Sequence, residues 1–185
     1  SNGRVLEIRT HPMPDGEFVN TYTDITERSR AVKALAESEQ RVRVITDTVP
    51  ALIGYVDKDL TMVFSNRAYK TWYGYEREVI LGRHMEDIIQ PEQMVRLRPY
   101  IERALSGRSV NFEITDPAPN GEIRHVVKNY VPEKDANGEV QGFYVLIQDI
   151  TEIRRTSEAL TQAYQHLEQR VEDRTKELTE LNGQL

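Results

Sequence analysis

The sequence predicts an α+β fold: one mixed domain between an N-terminal linker helix and a C-terminal coiled-coil helix. Three observations predict it. Short apolar runs bounded by turn residues come as a pair near residue 51 and as a triplet after residue 109, with only short helical stretches between them. The four residues Asp149-Ile150-Thr151-Glu152 stand where the last apolar run, 142–148, gives way to a polar stretch of helix formers. The same four letters occur at Asp24 to Glu27, so the step from position 24 to position 149 is an internal repeat of 125 residues. Phe18 matches Phe143 in that offset, and Ala34-Leu35 match Ala159-Leu160.

Composition bounds the alternatives. In 185 residues, 29% are charged and 38% hydrophobic, which is lean for one compact globule and suits a modest core with long exposed helices. A net charge of −6 leaves no dominant basic face, so nucleic acid is not an expected partner. There is no run of about 20 apolar residues and no secretory leader, so membrane contact is not expected in this stretch and a cytoplasmic location is. Cysteine is absent, which removes disulfides, thiol catalysis and any cysteinyl adduct.

In chain order, residues 4–10 alternate as a strand, 11–16 form a turn cluster around Asp15-Gly16, and 17–24 return as the second strand of a hairpin. The later copy has the same order in 121–131, 132–138 and 139–149. Residues 1–25 therefore read as the closing hairpin of an upstream domain. A lone hairpin is marginal in water, so it is expected to dock on something. Residues 26–48 form the linker helix, with Val32, Leu35, Val42, Ile45 and Val49 at near-heptad spacing and Pro50 ending it.

The main domain, 49–150, opens with strands at 51–56 and 61–65 joined by a turn at 57–60. Asn66 is expected to cap a helix carrying Ala68, Tyr69, Trp72 and Tyr73 that ends at Gly74. Helical turns follow at 76–81 and 84–89. Pro91 suits a helix N1 position, and Met94, Leu97, Ile101 and Leu105 give one apolar stripe. Pro99 inside that stripe argues for a kink or break. Strands follow at about 109–115, 122–131 and 140–149. At the junction, Asp149 with Glu152 three residues on fits a helix N-cap with a reciprocal partner, and Thr151 is the alternative cap.

Residues 151–185 carry a heptad. One series is Ile153, Leu160, Leu167, Arg174 and Leu181; the other is Ser157, Tyr164, Val171, Leu178 and Leu185. At about 1.5 Å per residue the helix would be roughly 52 Å long. A second copy of the chain is the economical cover for that seam, which predicts a homodimer through Ile153, Leu160, Tyr164, Leu167, Val171, Leu178 and Leu181.

These residues resemble a known family. Residues 44–152 resemble a PAS (Per-Arnt-Sim) domain through Val49 to Ile53, Met62 to Asn66, Ala68 to Gly74, Leu81-Gly82 and Asp149 to Glu152. The first copy is similar to the end of an upstream PAS domain. Leu167 to Leu178 is similar to the linker before the dimerisation helices of sensor histidine kinases, although diguanylate cyclases carry similar helices. The resemblance implies a five-stranded antiparallel sheet with short helices on one face. It also implies a ligand site between sheet and helices, and a signal passing from the sheet through Asp149, Ile150, Thr151 and Glu152 into the coil.

No catalytic constellation is visible: there is no His-Glu-x-x-His, no phosphate loop and no dinucleotide turn. His11 reads as a turn residue, His125 as a strand residue and His166 as an exposed heptad position. His84 with Glu86 and Asp87 has metal-ligand chemistry but reads as surface helix. No cofactor is expected. Haem-binding relatives use a histidine on the long helix, and 91–105 has none; the flavin-adduct class needs a cysteine. A small organic ligand remains, with Tyr55, Tyr69, Trp72, Tyr73, Ile101, Phe112 and Tyr144 as candidate walls. Arg98 and Asn129 are candidate polar handles, Arg98 for a carboxylate. The expected function is thus a sensory PAS module, most economically of a sensor histidine kinase, without an enzymatic step of its own. The alternatives are a ligand-free dimerisation or spacer module and the regulatory domain of a diguanylate cyclase.

Overall fold

In the computed structural model, which describes residues 3–14, 16–118 and 121–182, the chain divides into two units after Thr48. In the first unit, β1 (Leu6–Pro12) and β2 (Phe18–Asp24) form an antiparallel hairpin and lead into α1 (Thr26–Thr48). His11 lies in β1 opposite Val19, so the strand runs further into the turn cluster than its prolines suggested. No residue of α1 is buried.

The second unit contains β3 (Leu52–Asp57), β4 (Met62–Ser65), the short helices α2 (Ala68–Tyr73), α3 (Arg77–Ile80) and α4 (Met85–Ile88), the longer α5 (Pro91–Leu105), then β5 (Val110–Pro117), β6 (Ile123–Lys134), β7 (Val140–Asp149) and α6 (Thr151–Asn182). The five strands form one antiparallel sheet in the order β4-β3-β7-β6-β5. Period-two alternation divides each strand between two faces. Leu52 and Val56, Val126 and Tyr130, and Phe143, Val145 and Ile147 point into the core. Helix α5 lays Met94, Leu97, Ile101 and Ala104 on that face. Each large apolar side chain so buried is worth about 1.5–3 kcal/mol.

Several local expectations change in three dimensions. Asn66 does not cap α2, whose N-cap is Arg67. Its side chain is 1% exposed and accepts the Ile53 N–H at 3.0 Å while donating to the Ala51 carbonyl at 2.8 Å. It thus ties the start of β3 to the end of β4. Helix α5 runs through Pro99 without a break. Pro99 and Val95, whose carbonyl would have accepted the missing N–H, both lie on the exposed face of the helix. Strand β6 continues through Pro132, which pairs with Phe143, where a turn was expected. The β5 ladder stops at Tyr130, so beyond it β6 is an edge strand and tolerates proline. The turn itself is shorter, with Asp135 Oδ1 accepting the N–H groups of Asn137 and Glu139.

Candidate functional site: an internal cavity and a strand-to-helix junction

Between the inner face of the sheet and the short helices lies a cavity of about 20 Å³, enough for roughly one water. Its sheet wall is Val56, Met62, Lys128, Tyr130, Val145 and Ile147. Its helical wall is Tyr69 and Tyr73 of α2, Met85 and Ile88 of α4, the adjacent Ile89, and Leu97 of α5. Glycine opens room for one of these groups. A Cβ on Gly54 would stand 2.6 Å from the Tyr69 hydroxyl, so the tyrosine reaches over β3 only because residue 54 has no side chain.

The lining is apolar apart from the tyrosine hydroxyls and one charged side chain, Lys128, which pairs with Asp116 behind it. Lys128 and Asp116 are each 1% exposed, with Nζ 2.6 Å from Oδ2. Asp116 stands on β5 directly opposite Arg124 of β6. Neither carboxylate oxygen has a partner in hydrogen-bonding geometry among the described residues, so the attraction is chiefly Coulombic. Burial pulls the Lys128 ammonium below its ordinary pKa, and the Asp116 carboxylate opposes that shift. Burial pushes the phenols of Tyr69, Tyr73 and Tyr130 up, Tyr73 and Tyr130 further through the neighbouring Tyr69 and then the charge of Asp116.

Of the residues the sequence nominated for a pocket, Tyr69 and Tyr73 line this cavity and seven do not. Tyr55 and Tyr144 face outward on the far side of the sheet, their rings tilted by 51° at 4.9 Å between centroids, with the Tyr144 hydroxyl donating to Glu133 at 3.1 Å. Asn129 is on the same outer face, accepting from Asn111. Ile101 is core, and Phe112 stacks on Tyr100 at 3.6 Å. Trp72 is half-buried against the core but does not line the cavity; the Arg124 guanidinium lies 4.3 Å over its ring. Arg98 is 62% exposed and 3.7 Å from Glu86, so it is no handle for a buried carboxylate. Sequence reasoning missed Lys128 and Asp116. The alternation Val126, Lys128, Tyr130 carries the signal, because it puts the lysine on the apolar parity of its strand. His84 is the N-cap of α4, its Nδ1 accepting the Glu86 N–H at 3.3 Å. No cluster of metal-ligating side chains occurs among the described residues, nor does any helix long and apolar enough to cross a membrane.

The junction is built from local hydrogen bonds. Asp149 Oδ1 accepts the Thr151 N–H at 2.9 Å. The Thr151 hydroxyl turns back to the sheet and accepts the His125 N–H at 2.9 Å, and the Ile150 N–H donates to the His125 carbonyl at 2.8 Å. Asp149 and Thr151 therefore divide the work: one caps the helix, the other pins its first residue to β6. Glu152 does not complete a capping box; its carboxylate is exposed and pairs with Arg155 at 3.3 Å. Arg154 reaches Glu113 of β5 as a further tie. The first copy repeats these bonds: Thr26 N–H to Asp24 Oδ1 at 3.0 Å, Val5 N–H to the Thr26 hydroxyl at 2.9 Å, and Ile25 N–H to the Val5 carbonyl at 2.9 Å.

Beyond the junction, α6 exposes its seam: Ile153, Leu160, Tyr164, Leu167 and Val171 are 55–68% exposed. The side chains of Leu178 and Leu181, and all of Leu185, lie outside the described residues.

Comparison with known proteins matches residues 46–155 to the PAS fold, and residues 1–33 separately to the PAS fold. The two-component sensor PprA of Pseudomonas aeruginosa is 29% identical over 147 residues, 79% of this chain and 16% of that protein. The virulence sensor protein BvgS of Bordetella pertussis is 30% identical over 132 residues, 69% of this chain and 11% of that protein. The solved PAS domain of Bordetella pertussis BvgS is 25% identical, with a TM-score of 0.54, covering 70% of this chain and 98% of that one. The chain thus spans under a fifth of the length of these two sensor proteins.

Proposed function

The chain belongs to the PAS-fold family, and from that premise we propose that it is a sensory module of a two-component sensor kinase, acting as a homodimer through α6. The observation that carries the reading is the hydrogen-bonded junction built twice, at Asp24 to Thr26 and at Asp149 to Thr151. A strand pinned directly to the first turn of a long helix passes a small sheet movement to the helix as rotation, tilt or shift. The heptad supports the dimer, since a seam of period 3.5 is complementary to a second copy of itself. Residues 1–25 act as the closing hairpin of an upstream PAS domain. In support, Phe18 is 67% exposed, whereas Phe143, its counterpart in the repeat, is fully buried. The module carries no catalytic step; the output is the geometry of the coil.

Because the chain has no cysteine, single cysteines test the dimer cleanly. Leu160→Cys is expected to cross-link between copies under mild oxidation, Gln162→Cys to remain uncross-linked, and the unmodified chain to sediment as a dimer. A chain that stays monomeric at high concentration, with the face from Leu160 to Val171 packed within one copy, refutes the reading.

The one-water size of the cavity favours a second reading, a ligand-free spacer that only sets the geometry of output domains. Native mass spectrometry separates the two. A sensor retains, or is stabilised by, a small organic molecule, by about 2.7 kcal/mol at a hundredfold excess over Kd; a spacer is not.

A further inference from the structure

We infer that the cavity is built for a small, neutral molecule bearing a hydrogen-bond acceptor, with the Lys128 ammonium as its charged anchor and Asp116 as a fixed counter-charge. This rests on the reading of the cavity as the sensory site. An ammonium has three N–H donors, and Asp116 engages at most one of them. Beyond that ion pair, no hydrogen bond in good geometry reaches Lys128 among the described residues, although the side chain is 1% exposed and lines the cavity. A buried donor without a partner is costly, and a carbonyl, amide or ring-nitrogen acceptor supplies the partner without adding charge.

Charge decides the class. Asp116 already balances Lys128, so an entering carboxylate would bring a second anion beside a buried first one, where water cannot screen it. An entering ammonium would meet Lys128 with the same difficulty. A purely apolar molecule would leave the lysine donors unspent. The present volume holds a water, so a ring enters by displacing walls that can move. Met62 and Met85 are unbranched thioethers that repack readily, and α2 and α4 are only 6 and 4 residues long.

Benzamide, benzoate and toluene test this, since they share a ring and differ in the group offered to Lys128. The readout is the four methionine methyl resonances, with Met62 and Met85 on the cavity wall and Met13 in the hairpin as internal reference. Benzamide is expected to shift Met62 and Met85 but not Met13. Its affinity should exceed that of benzoate and of toluene by about ten- to a hundredfold, the worth of a hydrogen bond to a charged group. Replacing the pair together, Lys128→Met with Asp116→Leu, is expected to erase the preference for benzamide over toluene. Benzoate binding as tightly as benzamide overturns the neutral class while leaving a ligand-sensing cavity in place. Toluene binding as tightly overturns the anchor. No response to any of the three overturns the inference as a whole, and the cross-linking of the coil stands or falls separately. Should the paired replacement not fold, the order of the three probes on the unmodified chain still decides.

Discussion

Removing Lys128 alone should unfold most of what holds the domain, whereas removing Lys128 and Asp116 together should cost little. Two unit charges 2.6 Å apart attract by about 6 kcal/mol at an effective dielectric near 20, and taking both ions out of water costs several kcal/mol each, so the pair is close to neutral in net stability. Lys128→Met strips the Asp116 carboxylate, 1% exposed, of the ammonium paired with it, a loss of about 3–5 kcal/mol. Against a typical total of about 5–15 kcal/mol, that is a large share. Lys128→Met with Asp116→Leu removes both charges and should fall within about 1 kcal/mol of the unmodified chain or exceed it by about 1–4 kcal/mol. Urea denaturation followed by tryptophan fluorescence measures this in the right unit, because Trp72 is the chain's single tryptophan and sits in α2. A double variant as unstable as the single one, or a single variant within about 1 kcal/mol of wild type, would refute the account of a buried, mutually dependent pair.

Gly54→Ala should destabilise by about 1–3 kcal/mol through the clash with the Tyr69 hydroxyl, and Tyr69→Phe should recover part of that loss in a double-mutant cycle by thermal unfolding. Thr151→Val removes the acceptor of the His125 N–H and should cost about 1–2 kcal/mol, with faster amide exchange at His125; Thr151→Ser should behave as wild type. Alkali should unfold the domain steeply. The phenols of Tyr69 and Tyr130, 4% and 1% exposed, are raised above 10.0 by burial, so their stabilising contribution is complete below that pH and is lost as the pH climbs beyond it. Two such groups lose about 3 kcal/mol per pH unit between their unfolded and folded values. Tyrosinate absorbance should therefore show them ionising together with the Trp72 unfolding signal; smooth ionisation in a folded domain would contradict their burial.

Features that depend on neighbours in the chain could be read from the residues alone. The junction was legible because its capping bond spans two residues, Asp149 to Thr151, and because the whole motif recurs at Asp24 to Thr26. The strands, the short helix α2 closed by Gly74, and the heptad of α6 were legible for the same reason: turn chemistry and periodicity are local. The tertiary structure decided which face of each strand turns inward, since that depends on strand pairing and on where the helices lie. Tyr55 and Tyr144 read as well as Tyr69 for a pocket wall, but the pleat sends both to the far side of the sheet. Asn66 looked like a helix cap, yet its amide found the backbone of β3, 13 and 15 residues away in sequence. Lys128 drew no reading from its neighbours in the chain; the register of β6 sets it on the same face as Val126 and Tyr130. There it is buried on the cavity wall, beside a carboxylate 12 residues earlier in the chain that only sheet pairing brings near.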